Sequence, residues 1–353
     1  NDIIKAAIHE ALDGGVTMGA PTRYERELAG LLCERFPSLE QVRFCNSGTE
    51  ANLMALSTAR VTTGRDKILA FNDGYHGGVI KFLGGRCALN MPFDFVLADF
   101  NDIEGTANLI DQVGDDLAGV IIEPILGAGG NIQGNRQFLE MLRQKTAETG
   151  ALLIFDEVKT ARLGPSGIQG MVDIKPDLTT HGKFIGGGLP TGAFGGSADV
   201  MAQFNPKQPG ALAHAGTFNN NVFSMAAGCA AMSKIYTPQR AAEFLDWSEA
   251  FRLSLNDLFR SKSVPMYANG MGSMIAIHFS SEPTKRPSDI TPGCRSLRPL
   301  FHMELLLDGL LVCGRGDLFL SLPMNDEHLA TTRAAFEKFI DRYKPLIEKV
   351  LSA

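Results

Sequence analysis

The feature that most constrains the fold is a regular alternation of short apolar runs with helical stretches. The apolar runs are VRFC (42–45), KILAF (67–71), DFVLA (94–98), GVIIE (119–123) and ALLIFD (151–156). Stretches with helical periodicity accompany them at 49–62, 102–113 and 135–149. This alternation predicts an α/β fold in which helices cover both faces of a mostly parallel sheet. Because ligands of such sheets bind at the carboxyl ends of the strands, a site is expected in the residues that follow each run.

The two ends of the chain have a different pattern. Ile4, Ile8 and Leu12 recur at helical spacing after Asn1, which predicts a capped helix and a linker over 1–19. After residue 237 the predicted elements are a long amphipathic helix (237–262), a strand (272–279), a helix (295–309), a strand (318–322) and a closing helix (326–350). We therefore expect a large domain over 20–237 and a smaller α+β domain over 238–353.

Composition excludes several classes of protein. The 353 residues are enough for two domains, with 44% hydrophobic and 20% charged residues. A net charge of -6 disfavours nucleic acid as the main partner. The six cysteines form no CxxC pair, so neither a zinc site nor a disulfide scaffold is indicated. No apolar run approaches the roughly 18 residues of a membrane span. These features predict a cytoplasmic protein that acts on small molecules, without a membrane or nucleic-acid partner.

The string FCNSGTEA (44–51) marks a change from strand to helix. Ser47 and Thr49 supply hydroxyl groups, and Gly48 allows an anion to come close to the backbone N–H groups at the helix start. The segment can therefore hold a phosphate. The alternative is a helix cap alone, with Glu50 in the first turn.

Two further strings follow predicted strands. In NDGYHGG (72–78), Tyr75 and His76 lie on a loop where an aromatic ring can stack on a flat ligand, although a core tyrosine and a surface histidine are equally compatible. In LLIFDEVKT (152–160), Asp156 ends a buried run, where a carboxylate is costly unless a cation meets it. A metal ion or a protonated heterocyclic nitrogen would satisfy it.

Lys183, in KPDLTTHGKFIGGG (175–188), separates a β-type run from a glycine cluster. A phosphate-binding loop is excluded because Asp177 replaces its first glycine and Phe184 replaces its Ser or Thr. Neither GAGGNIQG (127–134) nor GGGLPTGAFGG (186–196) has the glycine spacing of a dinucleotide site. An amine that binds a carbonyl explains Lys183 together with the phosphate segment, the aromatic ring and the buried carboxylate, which are the parts that pyridoxal phosphate requires.

Six strings occur in one order that resembles a known family: NSGTEA, YHG, IIEP, LLIFDEV, PDLTTHGKFIGGGLPTGAFGG and AGTFNNN. They resemble the class III, fold-type I pyridoxal-phosphate aminotransferases. The greatest similarity is to the branch of glutamate-1-semialdehyde aminomutase and the β-amino-acid (β-phenylalanine-type) transaminases. The resemblance implies a mostly parallel seven-stranded sheet between helices, plus the smaller C-terminal α+β domain. It also implies transfer of an amino group from an amino acid or amine to a 2-oxo acid by a ping-pong mechanism.

The resemblance carries roles onto particular residues. Lys183 would bind the cofactor aldehyde as a Schiff base and move protons, and Asp156 would pair with the pyridine N–H. Thr217 would reach the phosphate bound by the neighbouring subunit, which implies a homodimer with shared active sites. The remaining cofactor-binding residues implied are Ser47, Gly48 and Thr49 at the phosphate, Tyr75 and Val158 at the ring faces, and His76 and Glu123 nearby.

Other points stay open in the sequence. Family members usually carry several dozen residues before the helix at 2–12, so a shortened chain is expected. Arg23, Arg162 and Arg315 are candidates for the guanidinium that holds a substrate carboxylate. An aminomutase or a racemase would use the same site without an oxo-acid acceptor. A non-catalytic binding protein on this fold is the remaining alternative.

Overall fold

The protein is described by a computed structural model that covers residues 1–16 and 18–352. The chain forms two compact units. The first comprises Asn1–Pro124 and Gly134–Ala241, and the second comprises Ile125–Gln133 and Ala242–Ala353. The sequence prediction placed all of 20–237 in the larger domain. The structure differs because the glycine-containing segment 125–133 joins the second unit, where the Gln133 side chain donates a hydrogen bond to the carbonyl of Gly270.

A seven-stranded sheet forms the centre of the first unit. Its strands are β1 (Gln41–Cys45), β2 (Lys67–Phe71), β3 (Asp94–Ala98), β4 (Leu117–Ile122), β7 (Leu152–Asp156), β8 (Leu178–Gly182) and β9 (Gly192–Gly196), in the order β1-β9-β8-β7-β4-β2-β3. Only β9 runs against its neighbours, since it pairs antiparallel with both β1 and β8. The carboxyl ends of the other six strands therefore lie at the same edge. The predicted α/β fold with a mostly parallel sheet is confirmed.

Helices pack on both faces of this sheet. The helices that lie wholly or partly in the first unit are α1 (Asp2–Asp13), α2 (Arg23–Arg35), α3 (Gly48–Thr63), α4 (Ile103–Val113), α5 (Arg136–Thr149), α6 (Gly167–Val172), α7 (Ala198–Met201), α8 (Val222–Ala230) and α9 (Pro238–Ser261). One core combines Ala55 of α3 with Ile154 and Phe194 of the sheet. A second core combines Leu32 of α2 with Ala193 of β9. Phe194 and Ala193 point to opposite faces, as neighbours on a strand must.

The helix ends follow the sequence signals. The Asn1 side chain caps α1 by accepting a hydrogen bond from the N–H of Ile3, and Gly14 follows the last turn. Thr22 caps α2 in the same way, and Asn135 caps α5. Each cap satisfies an N–H group that has no partner inside the helix. The predicted helix at the start of the chain is confirmed.

Strand β9 was not predicted from the sequence. Three of its five residues are glycine, which is a poor strand former. The glycines are needed because other backbones pass close by: a Cβ on Gly192 would collide with the carbonyl oxygen of Ser47, and a Cβ on Gly195 with that of Gln41. The sequence pattern is weak because close backbone approach, rather than side-chain packing, determines these positions.

The second unit contains two small sheets and further helices. One sheet has the order β10 (Tyr267–Met271), β11 (Met274–His278) and β12 (Asp317–Phe319), and the other pairs β5 (Ile125–Leu126) with β6 (Ile132–Gln133). Helices α10 (Pro292–Leu307) and α11 (Asp326–Leu351) complete it, together with most of α9. The predicted strand at 318–322 is shorter than expected, since pairing with β11 ends at Phe319. In the described ranges, no helix has both the length and the apolar character needed to cross a bilayer.

The close approach of β9 to the start of α3 gives the first prediction. Gly192→Ala should lower the free energy of unfolding by about 1–3 kcal/mol, because the added methyl group must displace backbone atoms. Gly30→Ala is the matched control: Gly30 is exposed inside α2, and its Cβ would meet nothing within 4 Å. It should raise stability by about 0.5–1 kcal/mol. Urea unfolding of both variants measures the difference, and equal midpoints would contradict the packing described here.

Candidate active site

The first part of the site is the turn between β1 and α3. Ser47 has extended backbone angles and accepts a hydrogen bond from the N–H of Glu50 at 3.1 Å, so it is the cap of a 16-residue helix. Gly48 and Thr49 occupy the first turn, where N–H groups point out of the helix. These N–H groups and the positive end of the helix dipole favour an anion. The cap and the phosphate cradle are therefore compatible at the same residues.

Three other loops approach this turn. A Cβ on Gly48 would lie 2.7 Å from the Val158 side chain, so the loop after β7 packs directly on the cradle. Gly77, with a φ of 126°, is equally close to the Thr49 side chain, which places the loop after β2 there as well. Gly182 ends β8, and its Cβ would lie 3.4 Å from the Gly48 nitrogen. Glycines at these positions bring the ends of four strands into one place.

A buried carboxylate lies at the centre of these loops. Asp156 is 3% exposed, and its Oδ2 accepts hydrogen bonds from the Asn52 amide and from His76 Nδ1, each at 2.8 Å. The N–H of Val158 donates to Oδ1 at 3.0 Å. Asn52 is itself fixed by Thr180, whose hydroxyl donates to Asn52 Oδ1 at 2.6 Å. The carboxylate is thus held in one orientation by residues from α3, β8 and two loops.

This network decides the charge of the site. Burial by itself would raise the pKa of Asp156, but the hydrogen bond and charge of His76, the Val158 N–H and the nearby Lys183 ammonium together lower it. Glu123 follows β4, and burial raises its pKa even though the Tyr75 N–H donates to its Oε2 at 2.9 Å. Asp156 is therefore the carboxylate that stays ionised and can meet a cationic group.

Lys183 follows β8 directly, and its side chain is exposed. Its φ is 55°, which is the left-handed region that a residue with a side chain seldom adopts. Such backbone strain persists only where the surrounding structure imposes it, and it is common at functional sites. The run of Gly186, Gly187 and Gly188 after Lys183 forms the turn that returns the chain to β9.

The donor set fits pyridoxal phosphate. A carboxylate has lone pairs for about four donors, and Asp156 Oδ1 receives only the Val158 N–H among the hydrogen bonds described above, so it can also accept from a protonated ring nitrogen. The cradle at Ser47–Thr49 suits the phosphate, and Lys183 is the amine that its aldehyde needs. Tyr75 is 42% exposed and Val158 is half-buried, which leaves both side chains free to cover a flat ring.

Comparison with known proteins supports this assignment. A sequence model of the family "Aminotransferase class-III" matches residues 1–340. The chain belongs to the class-III aminotransferases. It is therefore a pyridoxal-phosphate-dependent aminotransferase, which confirms the predicted enzyme class and cofactor.

Three relatives are informative. The β-phenylalanine transaminase of Variovorax paradoxus is 44% identical, with 98% of this chain and 80% of that protein covered, and its crystal structure matches with a TM-score of 0.96. A glutamate-1-semialdehyde 2,1-aminomutase of Bacillus cereus is 37% identical over 98% of this chain and 83% of that protein. A structure described as a transaminase with PLP bound is 30% identical, with a TM-score of 0.85, and the match covers 100% of this chain and 83% of that chain. Both branches named from the sequence motifs are thus represented.

The aminotransferase brings most of the sequence-predicted residues to one edge of the sheet, and two differ from expectation. His76 is 2% exposed, so the alternative of a surface histidine is wrong. Thr217 lies on an exposed loop, apart from the Asp156 network. The three candidate arginines are separate from one another: Arg23 pairs with Glu10, Arg315 pairs with Asp317 in the second unit, and burial lowers the pKa of Arg162.

Sequence reasoning missed residues that orient the site. Glu157 is fully buried, and its carboxylate accepts from the backbone N–H groups of Ile168 and Gln169, the Gln169 amide and the Thr160 hydroxyl. These bonds fix the loop that carries Val158. Asn52, on the buried face of α3, was missed as well. A polar residue on an apolar helix face is the signal that could have revealed it.

His181 stands two residues before Lys183 but serves the opposite face of the sheet. Its ring packs on Phe36 at a centroid distance of 4.2 Å, and neither ring nitrogen has a hydrogen-bond partner in the part of the chain that the structure describes. Burial, assisted by the charge of Arg35, lowers the pKa of His181 from 6.5 to about 3. The imidazole is therefore neutral in the folded protein at physiological pH.

His181 predicts an acid-dependent loss of stability. Between pH 6.5 and about 3 the unfolded chain binds a proton that the folded chain excludes. The stabilising contribution is thus complete above pH 6.5 and is lost as the pH falls toward 3. His181→Phe keeps the ring contact and removes the titration, so its unfolding free energy should fall less with acid. His9→Gln, on the exposed side of α1, is the control, and identical pH profiles for wild type and His181→Phe would refute the assignment.

Proposed function

We propose that this enzyme takes an amino group from a β-amino acid and passes it to a 2-oxo acid, with Lys183 as the catalytic amine. The observation that carries the proposal is the convergence of Lys183, the buried Asp156 network and the Ser47–Thr49 cradle at one sheet edge. The similarity to a β-phenylalanine transaminase favours a β-amino donor. Pyridoxal phosphate, when bound, supplies an aldehyde that condenses with amines and a ring that accepts electrons from the substrate carbon.

Asp156 keeps the site ready for this chemistry. Asn52 and His76 both bind its Oδ2, and Oδ1 with its single Val158 donor is the oxygen proposed to face the ring nitrogen. An ionised carboxylate there holds a proton on that nitrogen and so strengthens the ring as an electron acceptor. His76 and Glu123 contribute through this buried group rather than by touching the ring.

Lys183 acts first as a nucleophile and then as a base and an acid. Its amine binds the cofactor, is released when the substrate amine takes its place, and can then move a proton from the substrate carbon to the cofactor carbon. Its left-handed backbone fixes the direction from which the amine approaches. Proposed contacts hold the cofactor still meanwhile: Ser47, Gly48 and Thr49 at the phosphate, with Tyr75 and Val158 against the two ring faces.

We also propose that the active form is a homodimer. Thr217 and Phe218 lie at the tip of an exposed loop, and Phe218 is 57% exposed. Val16 and Met18 border the same small hollow and are also exposed, at 43% and 51%. An apolar surface of this kind is suited to burial against a second copy, where Thr217 would reach the partner's phosphate. The six free cysteines fit a reducing compartment, and we propose the cytoplasm.

The cofactor spectrum tests the reaction itself. The visible absorption of the PLP-loaded protein should fall when β-phenylalanine is added and return when a 2-oxo acid is added. Ping-pong kinetics are expected because the amino group rests on the enzyme between the two substrates. An isomeric product formed without an oxo acid would show an aminomutase instead. A cofactor band that no amine changes would support the non-catalytic alternative.

The role of Asp156 predicts a specific kinetic defect. Asp156→Asn keeps the side chain's size but removes its negative charge, so kcat should fall at least about a hundredfold while the protein still takes up PLP. Asp111→Asn, which loses only an exposed ion pair with Lys145, should keep wild-type kcat. Single-turnover rates with β-phenylalanine measure both variants. An Asp156→Asn enzyme with normal kcat would rule out the proposed pairing with the ring nitrogen.

A further inference from the structure

The loop that carries Thr217 is held by consecutive asparagines with different tasks. Asn221 caps α8 by accepting two backbone N–H groups on its side-chain oxygen. The side chain of Asn220 donates to Glu25 Oε2 of α2 at 2.9 Å. Both bonds fix the base of the loop, while Thr217 at its tip stays exposed. Neither residue contacts the phosphate cradle through these bonds.

Asn219 instead binds the residue that precedes the cradle. Its Oδ1 accepts a hydrogen bond from the Asn46 amide at 3.0 Å. Asn46 is also held by Glu50, whose Oε2 accepts from the Asn46 backbone N–H at 2.9 Å and from its side chain at 3.2 Å. Glu50 in turn donates its N–H to the Ser47 hydroxyl. Asn219 is therefore linked, through two residues, to the cap of α3.

A second set of contacts holds Asn219 from the other side. His214 Nε2 lies 3.2 Å from the Asn219 amide, and Arg43 Nε donates to His214 Nδ1 at 3.1 Å. A Cβ on Gly216 would collide with Asn219 Oδ1, so this side chain fills the inside of the loop. Arg43 lies on β1 and Asn46 follows its last residue. The loop is thus attached at two points to the segment that leads into the cradle.

From these contacts we propose that Asn219 is a positioning residue that couples the two cofactor sites of the dimer. The inference rests on the proposed function, in which Ser47–Thr49 bind a subunit's own cofactor phosphate and Thr217 reaches the phosphate bound by its partner. One side chain then aligns the cradle of its own subunit and the loop given to the other. A phosphate in the cradle orders Asn46 and Asn219, and the same order presents Thr217 across the interface.

The first test compares neighbouring asparagines with two ligands. Asn219→Ala should raise the dissociation constant for PLP about three- to tenfold, the loss expected for one or two hydrogen bonds. It should leave binding of pyridoxal, which lacks the phosphate, unchanged. Asn220→Ala is the matched control because it removes a bond of the same loop to α2, and it should not change the ratio of the two constants. A defect confined to folding would weaken both ligands equally.

A second variant covers the case in which Asn219→Ala unfolds. Asn219→Asp keeps the size of the side chain and an acceptor for Asn46, but it adds a negative charge beside the cradle. PLP should bind at least as weakly as in Asn219→Ala, again with pyridoxal unaffected. Wild-type PLP affinity in either folded variant would overturn the proposal.

Mixed dimers test the coupling. Lys183→Ala prevents one subunit from giving the visible cofactor band, so only the other site is read. In the first dimer, Lys183→Ala and Asn219→Ala share one subunit and the wild-type site is read; in the second, they lie on different subunits and the Asn219→Ala site is read. Both sites should bind PLP more weakly than in a dimer of Lys183→Ala with wild type. An effect in only one of the two dimers would contradict coupling through Asn219.

The outcomes separate the two levels of the argument. If the wild-type protein does not dimerise, or gives no cofactor band that depends on Lys183, the proposed function fails. If it does both and the Asn219 variants behave as wild type, the proposed function stands and this inference alone fails.

Discussion

The active site depends on one buried charge, the Asp156 carboxylate at the end of β7. Removing an ionised carboxylate from water costs several kcal/mol unless hydrogen bonds and opposite charge replace the lost hydration. The first unit supplies them from three directions, through Asn52 of α3, His76 after β2 and the N–H of Val158. Because each donor comes from a different element, the carboxylate also fixes where those elements meet. The stability of the charge and the geometry of the site therefore have the same origin.

Glycine allows these elements to meet closely enough. Gly48 packs against Val158, Gly77 packs against Thr49, and Gly192 faces the Ser47 carbonyl. A side chain at any of these positions would push a loop away from the cradle. The glycine-rich texture of the chain, with 38 glycines, is thus used at points of close backbone contact. The strained backbone of Lys183 belongs to the same arrangement, since the glycine run that follows it makes the return to β9 possible.

Order around the site spreads outward through buried polar groups. Glu157 fixes the loop of Val158 by accepting four hydrogen bonds. Asn219 and Asn46 connect the cradle to the loop of Thr217. These residues touch neither the proposed ring position nor Lys183, yet they determine how precisely the groups that do so are placed. In a site where an error of about 1 Å can cost a hundredfold in rate, such support has functional weight.

Sequence motifs were enough to identify the fold class, the family and the candidate groups, because strand ends, caps and a lysine between a strand and glycines each have a local signature. FCNSGTEA announces a helix cap with an anion site, and LLIFDEV announces a carboxylate at the end of a buried strand. They could not show that β9 is a strand, since its glycines reflect contacts with Ser47 and Gln41 that are distant in sequence. Nor could they place His76 behind Asp156, which lies 80 residues away in sequence.

By itself, the sequence therefore determined the chemistry: an amine, a carboxylate, a phosphate cradle and an aromatic ring, each at a strand end. Only the tertiary structure decided which of these groups meet, which carboxylate stays ionised and which loop is tied to the cradle. The physical reason is that local patterns depend on neighbouring residues and hydrogen bonds within a turn. Charge state and alignment depend instead on burial and on partners that folding brings from other parts of the chain.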